Sequence, residues 1–426
     1  MQLSDFIRAS LTPFHAVETA KRLLVSAGFS ELPDGEIRDL KPGKGYFVRR
    51  NGSSLVAFRV GKEVRGEDFG FKIVASHTDS PALKLKCRPE SAAENGVRLN
   101  VEVYGGMLQY TWFDRPLRVA GRAVVKDRKT GALRETLAAS EKRLVIPSVA
   151  IHFNRDANKG FAVNAQTDLQ PLAGLTKGFL EEMLREIGER EGADVLESDL
   201  FVVCDEEPFV FGAKDEFLCA PRIDDLASAF ASLRALLACE PEGVAVAALF
   251  DNEEVGSRTA QGAGGRFLRD ALLCAAKALG AAETGRVLRE SFLLSCDGAH
   301  AVHPNHPELS DPTNRVLLGG GIVVKHHANR NYTTDALSSA VFKEIARRAE
   351  IPVQDFFVRS DLPCGGTLGA ISSAQLSVRS ADIGIAQLAM HSAVETVAVA
   401  DCERLERGLT AFYKTPLSFG EEIKIG

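Results

Sequence analysis

An α/β sandwich with a mostly parallel central sheet, interrupted by an inserted β-rich domain, is the fold this sequence predicts. Three observations lead there. Beyond Pro221, short apolar runs alternate with helical stretches, the pattern of strands crossing over through helices. Between about Pro89 and Cys219 the pattern changes to alternating, β-branched runs parted by turn residues. With 426 residues, 45% of them hydrophobic, the chain can bury a large core and build two units. The expected division is residues 1–88 and 220–426 in the α/β domain and 89–219 in the insertion.

Taken in order, apolar positions at helical spacing predict a helix from about Ser10 to Phe29. "SLVAFRVG" and "FKIVAS" read as strands. "RLNVEVYGG", "LRVAGRAVVKD" and "KRLVIPSVAIHF" read as strands of the insertion, with "GLTKGFLEEMLREIGEREG" as its helix. The later part alternates "LASAFASLRALLAC" (helix), "VAVAALF" (strand), "GRFLRDALLCAAKALG" (helix), "FLLSC" (strand) and "DALSSAVFKEIARRAE" (helix).

Composition removes several function classes. The net charge is −6 and no long basic run occurs, so nucleic acid is not an expected partner. The longest apolar runs are too short to span a bilayer, so no membrane partner is expected. The N-terminus reads as an amphipathic helix rather than a signal peptide. Eight cysteines are scattered with no CxxC pair, which predicts free thiols in a reducing cytoplasm and no zinc held by cysteine.

One stretch departs from ordinary patterning. "DNEEVGS" sets Asp251, Glu253 and Glu254 together directly after "VAVAALF". Like charges so close raise one another's pKa unless a cation holds them. Acid clusters commonly lie on solvated faces or at helix N-termini. Here the triplet follows a buried-type strand, where α/β enzymes keep their chemistry. Matching groups lie elsewhere: His77 and Asp79 in "SHTDSP", Asp224 and Asp225 in "PRIDD", Asp297 with His300 and His303 in "DGAHAVHP", and His391 in "QLAMHS", read as entering a helix. Singly, each reads as a cap or a structural histidine. Together, two histidines, three ligand acids and one further acid form the inventory of a two-metal site with a general base.

These segments, in this order, with "TPFHAVETAKRLLVSAGF", "IPSVAIHFNR" and "DLPCGGTLG", resemble the M18 family of metalloaminopeptidases, the aspartyl aminopeptidase group. The resemblance covers nearly the whole chain. It implies a zinc-peptidase domain, two zinc ions per subunit (exchangeable with cobalt or manganese), peptide substrates, and a β insertion that assembles a tetrahedral homododecamer. It implies that Asp224 bridges the metals, His77 and Asp297 hold one, and Glu254 and His391 hold the other. Glu253 is then the general base, and Asp79 orients His77. Asp225 stands where a common family form has Asn. His152 is either a metal ligand or a contact to a neighbouring subunit's site, the second being favoured because the ligand set is complete without it. His300 would line the pocket, and Gly366 lies in a Gly-rich turn whose N–H groups could face substrate. Lys325, at the end of a short apolar strand, would select an acidic first residue.

The expected activity is a cytoplasmic zinc aminopeptidase that prefers N-terminal Asp or Glu. Two alternatives stay open: a related two-metal carboxypeptidase or deacylase, and a non-catalytic protein that keeps the shell.

Overall fold

The computed structural model describes residues 1–66, 68–419 and 422–426. Its centre is a run of parallel strands. Val244–Phe250 pairs with Phe71–His77, which pairs with Phe292–Cys296, which pairs with Arg379–Leu388, all parallel. The first three are buried at every position, as a sheet covered on both faces requires. Alternate residues face opposite ways. Val74, Ala245 and Ala247 pack with the helices Ile223–Ala238 and Val399–Lys414, while Ile73, Val244 and Val246 pack with Phe267–Ala278. The result is a sheet between two helical layers.

Among the described residues the sheet has thirteen strands and is mixed. Parallel pairing dominates only the centre. Ser54–Val60 joins Val244–Phe250 antiparallel, and Glu395–Ala398 and Phe217–Ala220 continue the other side antiparallel. The expectation of a mostly parallel sheet is corrected to this extent. Crossover helices favour parallel pairing at the centre, whereas the outer strands Ser54–Val60 and Phe217–Ala220 meet partners distant in sequence and run antiparallel to them.

A second sheet of six strands is antiparallel throughout and takes all its strands from Ala82–Cys204. It has its own core, which includes Leu99, Val119, Val125 and Val202, closed by the helix Phe179–Glu191. Its first strand, Ala82–Ala93, starts before the expected border at Pro89. Phe209–Phe211 and Phe217–Ala220, expected inside the insertion, belong to the large sheet. "KRLVIPSVAIHF" is a strand only at its start. The strand Leu133–Leu144 stops before Pro147, which cannot donate to a ladder, and His152 lies in a turn. The other named helices and strands form, most of them within a few residues of the expected spans.

Candidate metal centre

Parallel pairing brings the acids together. His77 ends one strand and is paired across the ladder with Phe250, so Asp251–Glu254 leave the sheet beside it. Asp297 follows the next strand, Phe292–Cys296. All three loops open from the carboxyl edge of the sheet, where α/β folds place their ligands. Asp224 and Asp225 arrive from the first turn of Ile223–Ala238, where the backbone is not yet helical.

Among the described residues, two groups of side chains are close enough to hold a cation. One is His77, Asp224, Asp225 and Asp297, all buried; the other is Asp224, Glu254 and His391. Asp224 belongs to both. His77 Nε2 lies 3.5 Å from Asp224 Oδ1 and 3.8 Å from Asp297 Oδ1. His391 Nε2 lies 3.4 Å from Asp224 Oδ2 and 3.4 Å from Glu254 Oε1. The two histidines are held alike. His77 Nδ1 is 3.0 Å from the carbonyl oxygen of Asp79, and His391 Nδ1 is 3.0 Å from that of Gly106. A carbonyl only accepts, so Nδ1 carries a proton and Nε2 is the ring atom that each histidine turns to the carboxylates.

The surroundings fix the carboxylates. Asp79 Oδ1 and Oδ2 accept the backbone N–H groups of Glu253 and Glu254, each at 3.1 Å, and the Tyr104 hydroxyl donates to Oδ2 at 2.7 Å. Asp79 thus sets the glutamate turn as well as lying beside His77. Asp251 is buried and accepts from the N–H of Asn252. Burial and the nearby Asp79 push the Asp251 carboxyl up to about 7.

So many acids in so little water carry an electrostatic cost. Burial, with Asp297, Asp79 and Asp224 outweighing the pull of His77, pushes the Glu253 carboxyl up to about 8. Burial and Asp224 raise Glu254 further above its ordinary range. Burial would raise Asp224 too, but the imidazoles of His391 and His77 bring it below its usual value. Burial pushes His391 down, yet Asp224 and Glu254 raise it to about 10. A dication placed among these oxygens would relieve that repulsion. Asp224 Oδ1 and Glu254 Oε1 are buried with no hydrogen-bond partner, a costly condition that a cation removes. Imidazole nitrogens with carboxylate oxygens are the ligand chemistry of zinc. The residues present fit the metal.

Comparison with known proteins agrees with this chemistry. Residues 6–413 match the family model described as "Aminopeptidase I zinc metalloprotease (M18)". The chain belongs to the M18 family. It is a metalloaminopeptidase, a hydrolase acting on peptide bonds. A Clostridium acetobutylicum relative named "Probable M18 family aminopeptidase 2" is 40% identical, over 97% of this chain and 98% of the relative. A Ricinus communis relative named "Probable aspartyl aminopeptidase" is 36% identical, over 97% of this chain and 94% of its own. Among solved structures, one titled as the complex of Ape4 and Nbr1 superposes with a TM-score of 0.91 at 34% identity, covering 96% of this chain and 84% of that one. The mApe1 dodecamer of S. cerevisiae superposes with a TM-score of 0.83 at 28% identity, covering 96% and 95%.

The remaining named residues of this M18 chain fall in different places. Lys325 is 1% exposed. Its ammonium donates to the carbonyl oxygens of Asp297 and Gly298 at 3.1 and 3.0 Å and lies 3.8 Å from Asp297 Oδ2. His300 is exposed beside Phe356, the ring centres 6.1 Å apart. Gly366 lies on an exposed loop with open space around it. His152 is exposed and joins neither cation-holding group among the described residues. His391 does not enter a helix. It sits at φ 66° in the turn between Arg379–Leu388 and Glu395–Ala398. The run after it is β-branched, and the helix starts only at Val399.

Sequence reasoning did not single out Glu395, whose buried carboxylate accepts the N–H of Asp224 at 2.8 Å and that of His391 at 2.7 Å. An acid in the apolar run "VETVAV" was the available signal. Asp382, fully buried, accepts from the Thr333 N–H and the Thr367 hydroxyl, tying two loops beside the centre. Tyr104 and Gly106 carried no signal at all, because they come from the other sheet.

Proposed function

We propose that this metalloaminopeptidase works with two zinc ions, bridged by Asp224, and prefers an acidic N-terminal residue. The carrying observation is that Asp224 belongs to both cation-holding groups, one oxygen turned to His77 and the other to His391. Asp224, His77 and Asp297 would hold one ion, and Asp224, Glu254 and His391 the other. When bound, zinc supplies Lewis acidity to the scissile carbonyl and acidifies water. Glu253 would be the proton carrier. Its carboxylate takes a proton from the attacking water and returns it to the leaving amine. Asp79 aims that carboxylate by holding the backbone N–H groups of both glutamates. A panel of chromogenic aminoacyl substrates, with free or blocked amino groups and with or without chelator, tests the reading. Cleavage of blocked substrates would favour a deacylase.

Acidic preference is supported by the name of the Ricinus relative and by Lys325. Two of the three ammonium donors of Lys325 are taken by carbonyls, leaving one for a substrate carboxylate. The same burial favours a second role, in which Lys325 holds the Asp297 backbone. Lys325→Leu separates them. As selector, its loss costs Asp and Glu substrates about 2–4 kcal/mol, the scale of an unpaired buried charge, and spares Leu substrates. As a holder of Asp297, its loss lowers all substrates alike.

The six-stranded sheet is read as an inserted domain that assembles copies of the chain. Its turn region exposes Val149, Ile151, Phe153 and Leu175, with Phe153 88% exposed. Exposed apolar side chains gathered in one region mark association surfaces. His152 stands among them, which supports its reach towards a neighbouring subunit's site. The dodecamer of the mApe1 relative supports a homododecamer here, which this reading takes to be tetrahedral. The eight cysteines are unpaired, in keeping with a cytoplasmic protein, and no helix of the described residues is long and apolar enough to cross a membrane. Light scattering tests the assembly; a fully active monomer would end this reading.

A further inference from the structure

The second sheet reaches the Glu254–His391 side of the centre through the stretch Tyr104–Thr111, which leaves the strand Gly96–Tyr104 and arches over it. Its contacts fall in sequence. The Tyr104 hydroxyl donates to Asp79 at 2.7 Å and accepts from the Asn252 side-chain amide at 3.0 Å. Gly105 sits at φ +76°, and a Cβ there would lie 3.1 Å from Glu254 Cβ and Oε2. The Gly106 carbonyl accepts His391 Nδ1, and the Leu108 N–H donates to the His391 carbonyl at 2.9 Å. The Thr111 hydroxyl oxygen accepts the N–H of Ala393 at 2.9 Å. Met107 and Trp112 anchor the stretch in the core of the second sheet.

His391 needs such support. It adopts a left-handed backbone that a non-glycine residue holds only when its surroundings over-determine it. Of the hydrogen bonds that hold its turn, Glu395 supplies one from the large sheet, and the arch supplies those to its ring, its carbonyl and Ala393. His77 needs none of this, because Asp79 in its own loop holds Nδ1.

We propose that Tyr104–Thr111 is a positioning element that sets the affinity of the Glu254–His391 half for its ion, so that the six-stranded sheet is part of the metal centre and not only a surface for assembly. The inference rests on the two-ion reading above. Partners of a ligand histidine outside the metal's own shell change affinity by about ten- to a hundredfold. Gly105→Ala strains the backbone and presses on Glu254. Thr111→Val keeps the shape and removes two hydrogen bonds, the one accepted from the Ala393 N–H and the one donated to the Leu108 carbonyl.

The test is zinc titration of the full-length, metal-free protein against a chromogenic chelator, with melting of the metal-free protein recorded beside it. In Thr111→Val one of two ions should bind about tenfold more weakly, and in Gly105→Ala about a hundredfold, the other ion unchanged. The metal-free Thr111→Val protein should stay folded and melt only modestly lower, since it loses two hydrogen bonds and leaves the buried Ala393 N–H unpaired. Unchanged affinity for both ions, or equal weakening of both, would overturn the proposal. If Gly105→Ala does not fold, Thr111→Val alone decides. A wild-type protein that binds one ion would end the two-ion reading; the arch then stands only if Thr111→Val weakens that ion, and falls if it does not.

Discussion

The two halves of the centre are built differently. The His77–Asp297 half comes from adjacent parallel strands whose register is fixed by a fully buried sheet. A slip of one residue there would turn every apolar side chain the wrong way. The Glu254–His391 half comes from two loops held by hydrogen bonds, several of them from the Tyr104–Thr111 arch. Asp224 is common to both. One half is therefore set by packing and the other by docking, and the two should fail in different ways.

The largest effect should come from a residue that neither half needs for metal. Glu253→Gln should lower kcat by about 10²–10⁴-fold, the range for a lost proton carrier, with zinc content near wild type. If Glu253→Gln stays active while Glu254→Gln keeps its metal and is inactive, the roles within the pair are reversed.

Removing each histidine then sets the halves against each other. His77 is 1% exposed in a packed strand end, whereas 31% of the His391 side chain is exposed in a turn. In metal-free protein, His77→Ala should cost about 3 kcal/mol, as buried side chains do when a cavity and unpaired acids are left behind. His391→Ala should cost less than about 1 kcal/mol. Each variant should bind one ion fewer. Urea unfolding in chelator checks the first statement, and equal costs would remove the contrast between packing and docking.

A third effect belongs to the seam between the sheets. His15, on the helix Pro13–Ser26, is buried beside Thr12. Burial, then the charges of Arg222 and Arg118, push its imidazole down from 6.5 to about 4. The unfolded chain therefore binds more protons between pH 6.5 and 4, so stability is full above 6.5 and falls through that window. The loss attributable to His15 is about 3 kcal/mol, at 1.36 kcal/mol per pKa unit. His15→Gln should flatten this part of the profile. An unchanged slope from pH 6.5 to 4 would show that the seam does not titrate.

The smallest expected effect lies on the surface. The pair Arg185–Glu189, 2.8 Å apart on the exposed helix of the second sheet, should show almost no coupling in a double-mutant cycle. A larger coupling would mean that this helix is buried in an assembly.

The sequence by itself determined the packed half. "FKIVAS", "VAVAALF" and "FLLSC" are short, largely apolar runs, the pattern of central strands covered on both faces, and the polar residues that follow then lie at the strand ends. His77, Asp297 and the Glu253–Glu254 pair were legible for that reason, and the ordered segments around them carried the family. Tertiary structure alone decided how His391 is held in the docked half. His391 reads locally as a helix start, but the turn that holds it depends on Glu395, Gly106, Leu108 and Thr111. Three of these lie in the stretch that follows a strand of the other sheet, far away in sequence. Hydrogen bonds between distant backbone groups leave no mark in residue type, because every residue but proline carries the same donor and acceptor. The edges of the large sheet were hidden for the same reason. Whether an outer strand pairs parallel or antiparallel depends on which neighbour it meets, and its own side chains do not encode that choice.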